Sequence, residues 1–312
     1  MNGSRTFLPL RSLLFAPGNE PRKVSKVATF GADAIILDLE DAVPDADKVA
    51  TRALARAALK DLQGPLVFVR VNGLKTGLTG GDVEGVVADG LDGIVLPKAE
   101  SPDDVATLEA MLARAEQRAG LPPGRVKVLP IVETARGVLA ASSIAGAGQR
   151  VLTLAFGSGD FTRDLELPSI RWSLEGAELF YARTKLIVDA RAAGRPRPVD
   201  GPYVAVRDAK GFEEDCRTAR RLGFQGKICI HPSQVPTANR MFAPDPDEVA
   251  FCRKVVEAFK AAEAAGSAAI TVDGIFVDYP IVEKSERIIA LAESLAAKDR
   301  GATPALVERR GL

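Results

Sequence analysis

The sequence of 312 residues is poor in histidine, cysteine and aromatic residues. Its single histidine, His231, excludes any mechanism that needs two imidazole groups. No CxxC spacing and no second histidine accompany the three cysteines, Cys216, Cys229 and Cys252, so neither a zinc site nor a disulfide framework is expected. Aromatic residues make up only 5% of the chain, which argues against a platform for stacking nucleic-acid bases.

An excess of charge of one sign is also missing. The 41 Lys and Arg residues balance 41 Asp and Glu residues, so no long-range field draws the chain to nucleic acid or anionic lipid. No apolar run approaches the roughly 20 residues that a membrane-spanning helix needs. The first apolar stretch is broken by Pro9 and Arg11, and it has no clear signal-peptide pattern. We therefore expect a soluble, cytoplasmic protein without nucleic-acid or membrane partners.

Short apolar segments alternate with amphipathic, alanine-rich segments, which is the pattern of βα units around a parallel sheet. The predicted strands are 12–16, 34–40, 66–72, 93–99, 127–133, 151–157, 203–206 and 227–232. Helical patterns between them include 47–62, 102–120 and 176–194. Because the strands are mostly apolar without alternation, they fit burial on both faces, and eight of them are what a closed barrel requires. An open doubly wound sheet is the alternative, but no GxGxxG motif follows the first strand.

These patterns predict a (β/α)8 TIM barrel over residues 1–240 and a C-terminal extension over residues 241–312. The extension contains one helical pattern, a small hairpin that turns at Asp273 and Gly274, and a last helix followed by a basic tail. It is surplus to eight βα units. We expect it to pack over a barrel mouth or to cap the site of a neighbouring subunit.

Polar residues collect at the carboxyl ends of the predicted strands, where a βα barrel places its active site. They are Asp38, Glu40, Asp41, Arg70, Asn72, Lys98, Glu100, Glu133, Asp160 and His231. Charged side chains so close to apolar strands are costly unless they are paired or bound to a metal. The candidate site is therefore expected at this end of the barrel.

Glu133 and Asp160 are the best candidates for metal ligands. Two carboxylates on adjacent strand ends form a hard oxygen site, which suits Mg²⁺. The alternative is that each carboxylate caps a helix that begins beside it, at Thr134 and at Phe161. The spacing alone leaves both interpretations open.

Arg70 also has two interpretations. Its guanidinium can hold a substrate carboxylate bidentately and stabilise negative charge in the transition state. It can instead form a structural ion pair with Asp38 or Glu40. Lys98 has the same choice, with the structural pair favoured, and His231 fits a structural role as well as a catalytic one.

Nine segments together resemble the citrate lyase β-subunit-like proteins, the CoA-ester lyase branch of the HpcH/HpaI aldolase family. In family order they are RSLLFAPGNEPRKVSK, GADAIILDLEDAVPD, VFVRVN, GIVLPKAE, PIVETARG, FGSGDFTRDL, FYARTKLIVDARAAG, GFQGKICIHPSQV and VDGIFVDYP. The resemblance covers nearly the whole chain. It implies a (β/α)8 barrel with a C-terminal extension, assembled into a homotrimer or a hexamer.

The resemblance also implies roles for the acidic residues, position by position. Glu133 and Asp160 would bind Mg²⁺. Asp38 and Glu40 would act on that ion through bound waters, and Lys98 is counted among the surrounding residues.

For substrates, the resemblance implies a CoA thioester and a 2-oxo acid. Arg70 would hold the 2-oxo acid fragment, and Arg22 and Lys26 would contact the CoA phosphates. Asp278 would reach a neighbouring subunit's site as acid or base, with Asp273 as the less favoured choice. The alternative for Asp278 is a turn residue before Pro280.

One departure concerns Gly159. Many relatives read GAED at the sixth-strand aspartate, whereas this chain reads GSGD, so Gly159 replaces a carboxylate and either widens the substrate side of the site or removes a charge near the metal. The implied activity is a Mg²⁺-dependent lyase that cleaves or forms a 3-hydroxyacyl-CoA, such as malyl-CoA or citramalyl-CoA. Alternatives are an aldolase on free hydroxy acids, a citrate lyase β subunit with partner subunits, a malyl-CoA thioesterase, and an inactive relative.

Overall fold

The structure, a computed structural model, describes residues 10–169, 172–173 and 175–299. The chain divides into two compact units, with the division between Phe242 and Ala243. The ends of the two predicted domains, residues 1–9 and 300–312, lie outside the described residues. In the part of the chain that is described, no helix combines the length and apolar character needed to span a membrane.

Eight parallel strands of the described residues close into a barrel. They are β1 (Ser12–Pro17), β2 (Ala34–Asp38), β3 (Leu66–Arg70), β4 (Gly93–Leu96), β5 (Lys127–Val132), β6 (Ala155–Phe156), β7 (Val199–Asp200) and β8 (Gly226–Cys229). Each strand pairs with the next, and β8 pairs with β1, where Leu13 lies opposite Ile228. This closure confirms the predicted (β/α)8 barrel and excludes the open sheet.

Helices follow the strands around the outside of the barrel. Among the described residues of this unit they are α1 (Pro21–Val27), α2 (Lys48–Ala58), α3 (Thr79–Val86), α4 (Pro102–Ala119), α5 (Ala135–Leu139), α6 (Ala141–Gly146), α7 (Ser158–Asp164), α8 (Ala177–Ala192), α9 (Ala209–Leu222) and α10 (Val235–Phe242). The sequence of α4 shows why such segments fold locally. Ser101 and Asp104 form a capping box, and Gly120 ends the helix in the left-handed conformation.

Strand alternation decides which side chains reach the barrel interior, because successive residues of a strand point to opposite faces. The guanidinium carbon of Arg70 lies 4.8 Å from the ring centre of Phe15, although β2 separates their strands. Both side chains therefore occupy the inside of the barrel. The same parity places Asp38 inside, since it lies opposite Arg70 in the register.

The predicted seventh strand at 203–206 is wrong, because β7 is the two-residue segment Val199–Asp200. Pro198 and Pro202 bracket this segment, and proline cannot donate to a strand ladder, so the strand is short and gives little apolar signal. Residues 203–206, which read as apolar in the sequence, instead form a partly exposed loop. The sixth strand is also shorter than predicted, with an isolated bridge at Val151 before β6.

The second unit contains α11 (Pro246–Ala264), β9 (Ile270–Val272), β10 (Ile275–Val277) and α12 (Tyr279–Asp299). The predicted hairpin is present, and both of its turn residues, Asp273 and Gly274, have positive φ. Asp-Gly favours this kind of two-residue turn. A small core lies among the helices and the hairpin, built from Val255, Phe259, Val272, Val277 and Val282.

A buried ion pair ties the loops at the amino-terminal end of the barrel. The Glu116 carboxylate accepts hydrogen bonds from Arg150 at 2.6 and 2.7 Å and from the amides of Val126 and Gly124. Burial raises the pKa of Glu116, but Arg150 and the two amides more than offset this, so its pKa lies below the ordinary value. This end of a barrel is normally devoted to stability.

We predict that Glu116→Gln destabilises the protein by about 3 kcal/mol near neutral pH, because it leaves the buried Arg150 charge unpaired. Since the pKa of Glu116 is lowered on folding, its stabilisation is present above the ordinary value of 4.5 and is lost as the pH falls below it. Urea unfolding at about pH 7 and about pH 3 measures both effects. The control is Glu84→Gln, whose ion pair with Arg118 is exposed and whose loss costs less than about 1 kcal/mol. Equal costs for the two variants would contradict the prediction.

Candidate active site

Five carboxylates converge at the carboxyl ends of the strands, and we call them the carboxylate cluster: Asp38, Glu40, Asp41, Glu133 and Asp160. Asp38 ends β2, Glu40 and Asp41 follow it, Glu133 follows β5, and Asp160 lies in the first turn of α7. The barrel brings them together because parallel strands all end at the same edge. Three of the five, Asp38, Glu40 and Glu133, are buried.

Arg70 is held by the cluster in a fixed orientation. Its Nε and Nη2 atoms donate to the two carboxylate oxygens of Asp38 at 2.7 and 2.6 Å. Its remaining nitrogen, Nη1, lies 3.1 Å from Glu40 and 3.0 Å from Asp41. The structural ion pair that the sequence left as an alternative is therefore present. Burial raises the pKa of Asp38, but the bonds from Arg70 outweigh it and keep that pKa below the ordinary value.

Lys98 connects both halves of the cluster. Its Nζ atom lies 2.7 Å from Glu40, 3.8 Å from Asp160 and 3.9 Å from Asp41. Its backbone N–H donates to Glu133 at 2.8 Å. The residue adopts φ of 51°, the left-handed conformation that side chains other than glycine rarely take.

Glu133 does not cap the helix that follows it. The cap of α5 is Thr134, whose hydroxyl oxygen accepts from the Gly137 amide. Burial, reinforced by the negative charge of Asp160, raises the pKa of Glu133 to about 8. Asp160 makes no capping bond either and pairs with Arg163 at 2.8 Å. The two carboxylates thus lie close enough for the charge of Asp160 to act on Glu133, and the capping role of Glu133 is taken by Thr134.

These residues fit a divalent cation. Five carboxylates face three cationic side chains, Arg70, Lys98 and Arg163, which leaves two negative charges when all are ionised. The pKa of Glu133 is raised chiefly by burial, and the negative charge of Asp160 adds to this effect. Among the described residues, no three or more His, Cys, Asp or Glu side chains are placed so that they could hold a metal ion together. Mg²⁺ nevertheless commonly uses one or two protein carboxylates and fills its other coordination positions with water and substrate.

Glu40 is a second residue whose surroundings fit a divalent cation with bound waters. Its Oε2 atom is buried and receives no hydrogen bond from the residues that the structure describes. Burial, helped by the neighbouring charge of Asp41, raises the pKa of Glu40 in spite of Arg70 and Lys98. A buried acceptor of this kind is suited to a bound water.

Two glycines beside Glu133 and Asp160 differ in their surroundings. A Cβ atom at Gly157 would overlap the Glu133 side chain, at 2.5 Å from its Cβ. A Cβ at Gly159 would meet no described atom within 4 Å. Gly157 is therefore required for the position of Glu133, whereas Gly159 borders open space.

The remaining predicted residues have the following surroundings. Arg22 and Lys26 are exposed and lie one turn apart on α1. His231 caps a short 3₁₀ turn and hydrogen-bonds Ser233 through its ring, which is the structural role. Asp278, in the second unit, directly precedes α12, and its carbonyl oxygen accepts from the amides of Ile281 and Val282 in the first turn of that helix, as a turn residue does.

A second buried charge network was not predicted from the sequence. Arg183, Asp200, Asp215 and Lys227 pair with one another between β7, β8, α8 and α9. The misplaced seventh strand concealed Asp200, and the lysine within the apolar segment KICI was the available signal. Arg163, the partner of Asp160, was also missed.

A cavity of about 710 Å³ lies elsewhere in the barrel unit. Its lining includes Trp172, Tyr203, Asp208 and Asp215, and no member of the carboxylate cluster. Volume alone does not mark the chemistry of a barrel enzyme. We assign the candidate active site to the cluster because the buried, oppositely charged groups converge there.

A closed βα barrel with charged side chains gathered at the carboxyl ends of its strands defines a barrel enzyme. The chain belongs to the HpcH/HpaI aldolase/citrate lyase family, whose model matches residues 11–232. The resemblance drawn from the sequence is thereby confirmed, as is the prediction of a carbon–carbon lyase of the aldolase type.

Three curated relatives cover nearly the whole chain. Citrate lyase subunit beta of Leuconostoc mesenteroides subsp. cremoris is 36% identical, over 91% of this chain and 93% of its own. The (3S)-malyl-CoA thioesterase of Cereibacter sphaeroides is 33% identical, over 93% of this chain and 96% of its own. The mitochondrial citramalyl-CoA lyase of Homo sapiens is 29% identical, over 94% and 88%.

A solved structure has a similar fold. The protein CitE of Mycobacterium tuberculosis, in complex with magnesium, acetoacetate and coenzyme A, superposes with a TM-score of 0.72. The two chains are 31% identical, and the match covers 92% of this chain and 99% of the other.

We predict opposite effects for alanine at the two glycines. Gly157→Ala destabilises the protein by about 1–3 kcal/mol, because the new methyl group displaces the buried Glu133 side chain. Gly159→Ala leaves stability unchanged or raises it by up to about 1 kcal/mol, since the site is open and helical. Urea unfolding of both variants measures the difference. A Gly159→Ala variant as unstable as Gly157→Ala would refute the assignment of open space at residue 159.

Proposed function

We propose that the protein is a Mg²⁺-dependent lyase that cleaves a 3-hydroxyacyl-CoA, such as malyl-CoA or citramalyl-CoA, into an acyl-CoA and a 2-oxo acid. The observation that carries the proposal is the convergence of Glu133 and Asp160 beside the fixed guanidinium of Arg70. Family membership and the magnesium, acetoacetate and coenzyme A of the Mycobacterium tuberculosis complex support it.

Glu133 and Asp160 are the proposed holders of the metal ion. Bound Mg²⁺ would lower the pKa of the substrate hydroxyl and polarise the carbonyl that forms from it. Asp38 and Glu40 are proposed to accept from waters around the ion. Glu40 is the better placed of the two, because its Oε2 accepts no hydrogen bond from the described residues and only lies 3.1 Å from Arg70 Nη1, whereas both oxygens of Asp38 accept from Arg70.

Arg70 is proposed to attract the carboxylate and carbonyl oxygens of the 2-oxo acid fragment. Its Nε and Nη2 are committed to Asp38, so Nη1 is the nitrogen that can exchange Glu40 or Asp41 for substrate. The Asp38 pair holds the guanidinium plane in place. This preorganised charge favours the transition state, in which negative charge develops on the carbonyl oxygen.

Cleavage moves one proton from oxygen to carbon. A base removes the hydroxyl proton, the O–H electrons form the carbonyl, and the electrons of the broken carbon–carbon bond form the acyl-CoA enolate. Asp278 of a neighbouring copy is the proposed acid that protonates the enolate carbon. This role requires a homo-oligomer, for which a trimer or a hexamer is proposed.

The exposed pair Arg22 and Lys26 is the proposed contact for CoA phosphates. The two side chains lie one helical turn apart on α1, which begins shortly after β1 at the carboxyl end of the barrel. Their charge fits the phosphate groups of CoA.

The proposed location of the protein is the cytoplasm. Three buried free cysteines support this location, because thiols stay reduced there.

We predict that Asp160→Asn lowers kcat/KM for malyl-CoA or citramalyl-CoA by about 100-fold or more, because a carboxylate that holds the cation is lost. The assay follows acyl-CoA and glyoxylate or pyruvate with and without Mg²⁺, and calorimetry follows Mg²⁺ binding. Glu116→Gln, at the other end of the barrel, is the control for general destabilisation.

Product analysis separates the proposal from its rivals. Free CoA without 2-oxo acid indicates a thioesterase, and cleavage of free hydroxy acids indicates an aldolase that does not need CoA. Activity that appears only with an acyl-carrier partner indicates a citrate lyase subunit. The absence of turnover on every hydroxyacyl-CoA ester in the presence of Mg²⁺ would overturn the proposal.

We further predict that the double variant Arg22→Ala/Lys26→Ala raises KM for the CoA ester by about tenfold or more and leaves kcat largely unchanged, since these charges bind substrate and transition state alike. The matched control is Lys23→Ala on the same helix, whose ammonium pairs with Glu20. Steady-state kinetics and CoA calorimetry measure both. An unchanged KM in the double variant would show that the phosphates bind elsewhere.

A further inference from the structure

Lys98 combines an unfavourable backbone conformation with two separate contacts to the carboxylate cluster. Its φ of 51° lies in the left-handed region, which for a residue with a side chain is kept only when the surroundings enforce it. In this conformation the backbone N–H points at the buried Glu133 carboxylate. The backbone of Lys98 thus fixes one oxygen of Glu133 whatever its side chain does.

The side chain of Lys98 reaches a different part of the cluster. Its ammonium lies 2.7 Å from Glu40 and within 4 Å of Asp41 and Asp160, so it bridges carboxylates from two strand ends, those of β2 and β6. Its side chain is 31% exposed, which leaves it room to move toward solvent. Exposed lysine side chains change rotamer readily, because they have four flexible carbon–carbon bonds.

A divalent cation held by Asp160 and Glu133 would compete with this ammonium. The ammonium lies 3.8 Å from an oxygen of Asp160 that the metal ion would bind, and two cations a few ångströms apart repel each other strongly in a partly buried site. The other two cations of the cluster differ from Lys98. Arg70 is locked to Asp38 by two hydrogen bonds, and Arg163 approaches Asp160 from the exposed side of α7.

We propose that the Lys98 ammonium is a built-in competitor of the metal ion. It neutralises the carboxylate cluster in the metal-free enzyme, lowers the affinity for Mg²⁺ and withdraws from Asp160 when the metal binds. The left-handed backbone keeps Glu133 in position through both states. This inference rests on the proposed metal site and assigns Lys98 the role of setting how tightly that site binds.

The test is a calorimetric titration of the full-length protein with Mg²⁺ in the absence of substrate. Lys98→Met keeps the length of the side chain and removes its charge, so Mg²⁺ is expected to bind about tenfold more tightly than to the wild type. Lys98→Arg keeps the charge and is expected to bind Mg²⁺ much as the wild type does. If Lys98→Met fails to fold, Lys98→Gly replaces it, because glycine accepts positive φ without strain.

The matched control is Lys75→Met. Lys75 follows the neighbouring strand β3, and its ammonium pairs with Glu100 at 2.6 Å, but its side chain is 84% exposed and contacts no member of the cluster. Its Mg²⁺ affinity is expected to equal that of the wild type. An equal gain of Mg²⁺ affinity in Lys75→Met and Lys98→Met would reveal a general charge effect and overturn the inference.

Two further outcomes also decide the matter. Unchanged or weaker Mg²⁺ binding in Lys98→Met would show that the ammonium organises the carboxylates rather than competing for them, and the inference would fall. If neither the wild type nor Lys98→Met binds Mg²⁺, the inference is again overturned, and the hydroxyacyl-CoA assay then decides separately on the proposed function.

Discussion

The bidentate pair of Arg70 with Asp38 sets the electrostatics of the barrel mouth. Both groups are buried, and an unpaired charge in that position would be far more costly than the pair. With two of its nitrogens committed, the guanidinium presents the third to Glu40 and Asp41. Its positive charge also limits how far burial and Asp160 raise the pKa of Glu133. This fixed cation holds Asp38, Glu40 and Asp41, and Lys98 links them to Glu133 and Asp160.

Most of the fold could be predicted because the barrel strands are buried on both faces. Continuous apolar runs such as AIILD and LVFVR identify such strands without any tertiary information. This apolar signal is missing at β7, which has two residues, one of them charged. The charge of that residue, Asp200, is neutralised by Arg183 and Lys227 from other elements, so local sequence cannot reveal the strand.

The sequence predicted which residues form the candidate site but not which of them pair with one another. Position at a strand end indicated Asp38, Arg70, Lys98, Glu133 and Asp160, since all parallel strands end at one edge. Which acid pairs with which base depends on side-chain reach across the barrel, and spacing in the sequence carries no information on it. The capping alternative for Glu133 shows the same limit, because only the geometry reveals that Thr134 takes that role.

The open space at Gly159 has an evolutionary consequence. Gly159 lies beside the proposed metal site, and the described structure leaves room for a side chain there. Glycine codons differ from those of alanine, aspartate and glutamate by a single base. A lineage could therefore gain or lose a carboxylate at this position in one mutational step without first repairing the fold. Substrate preference in such a lineage could diverge faster than its architecture, which suits a family whose members carry several different activities.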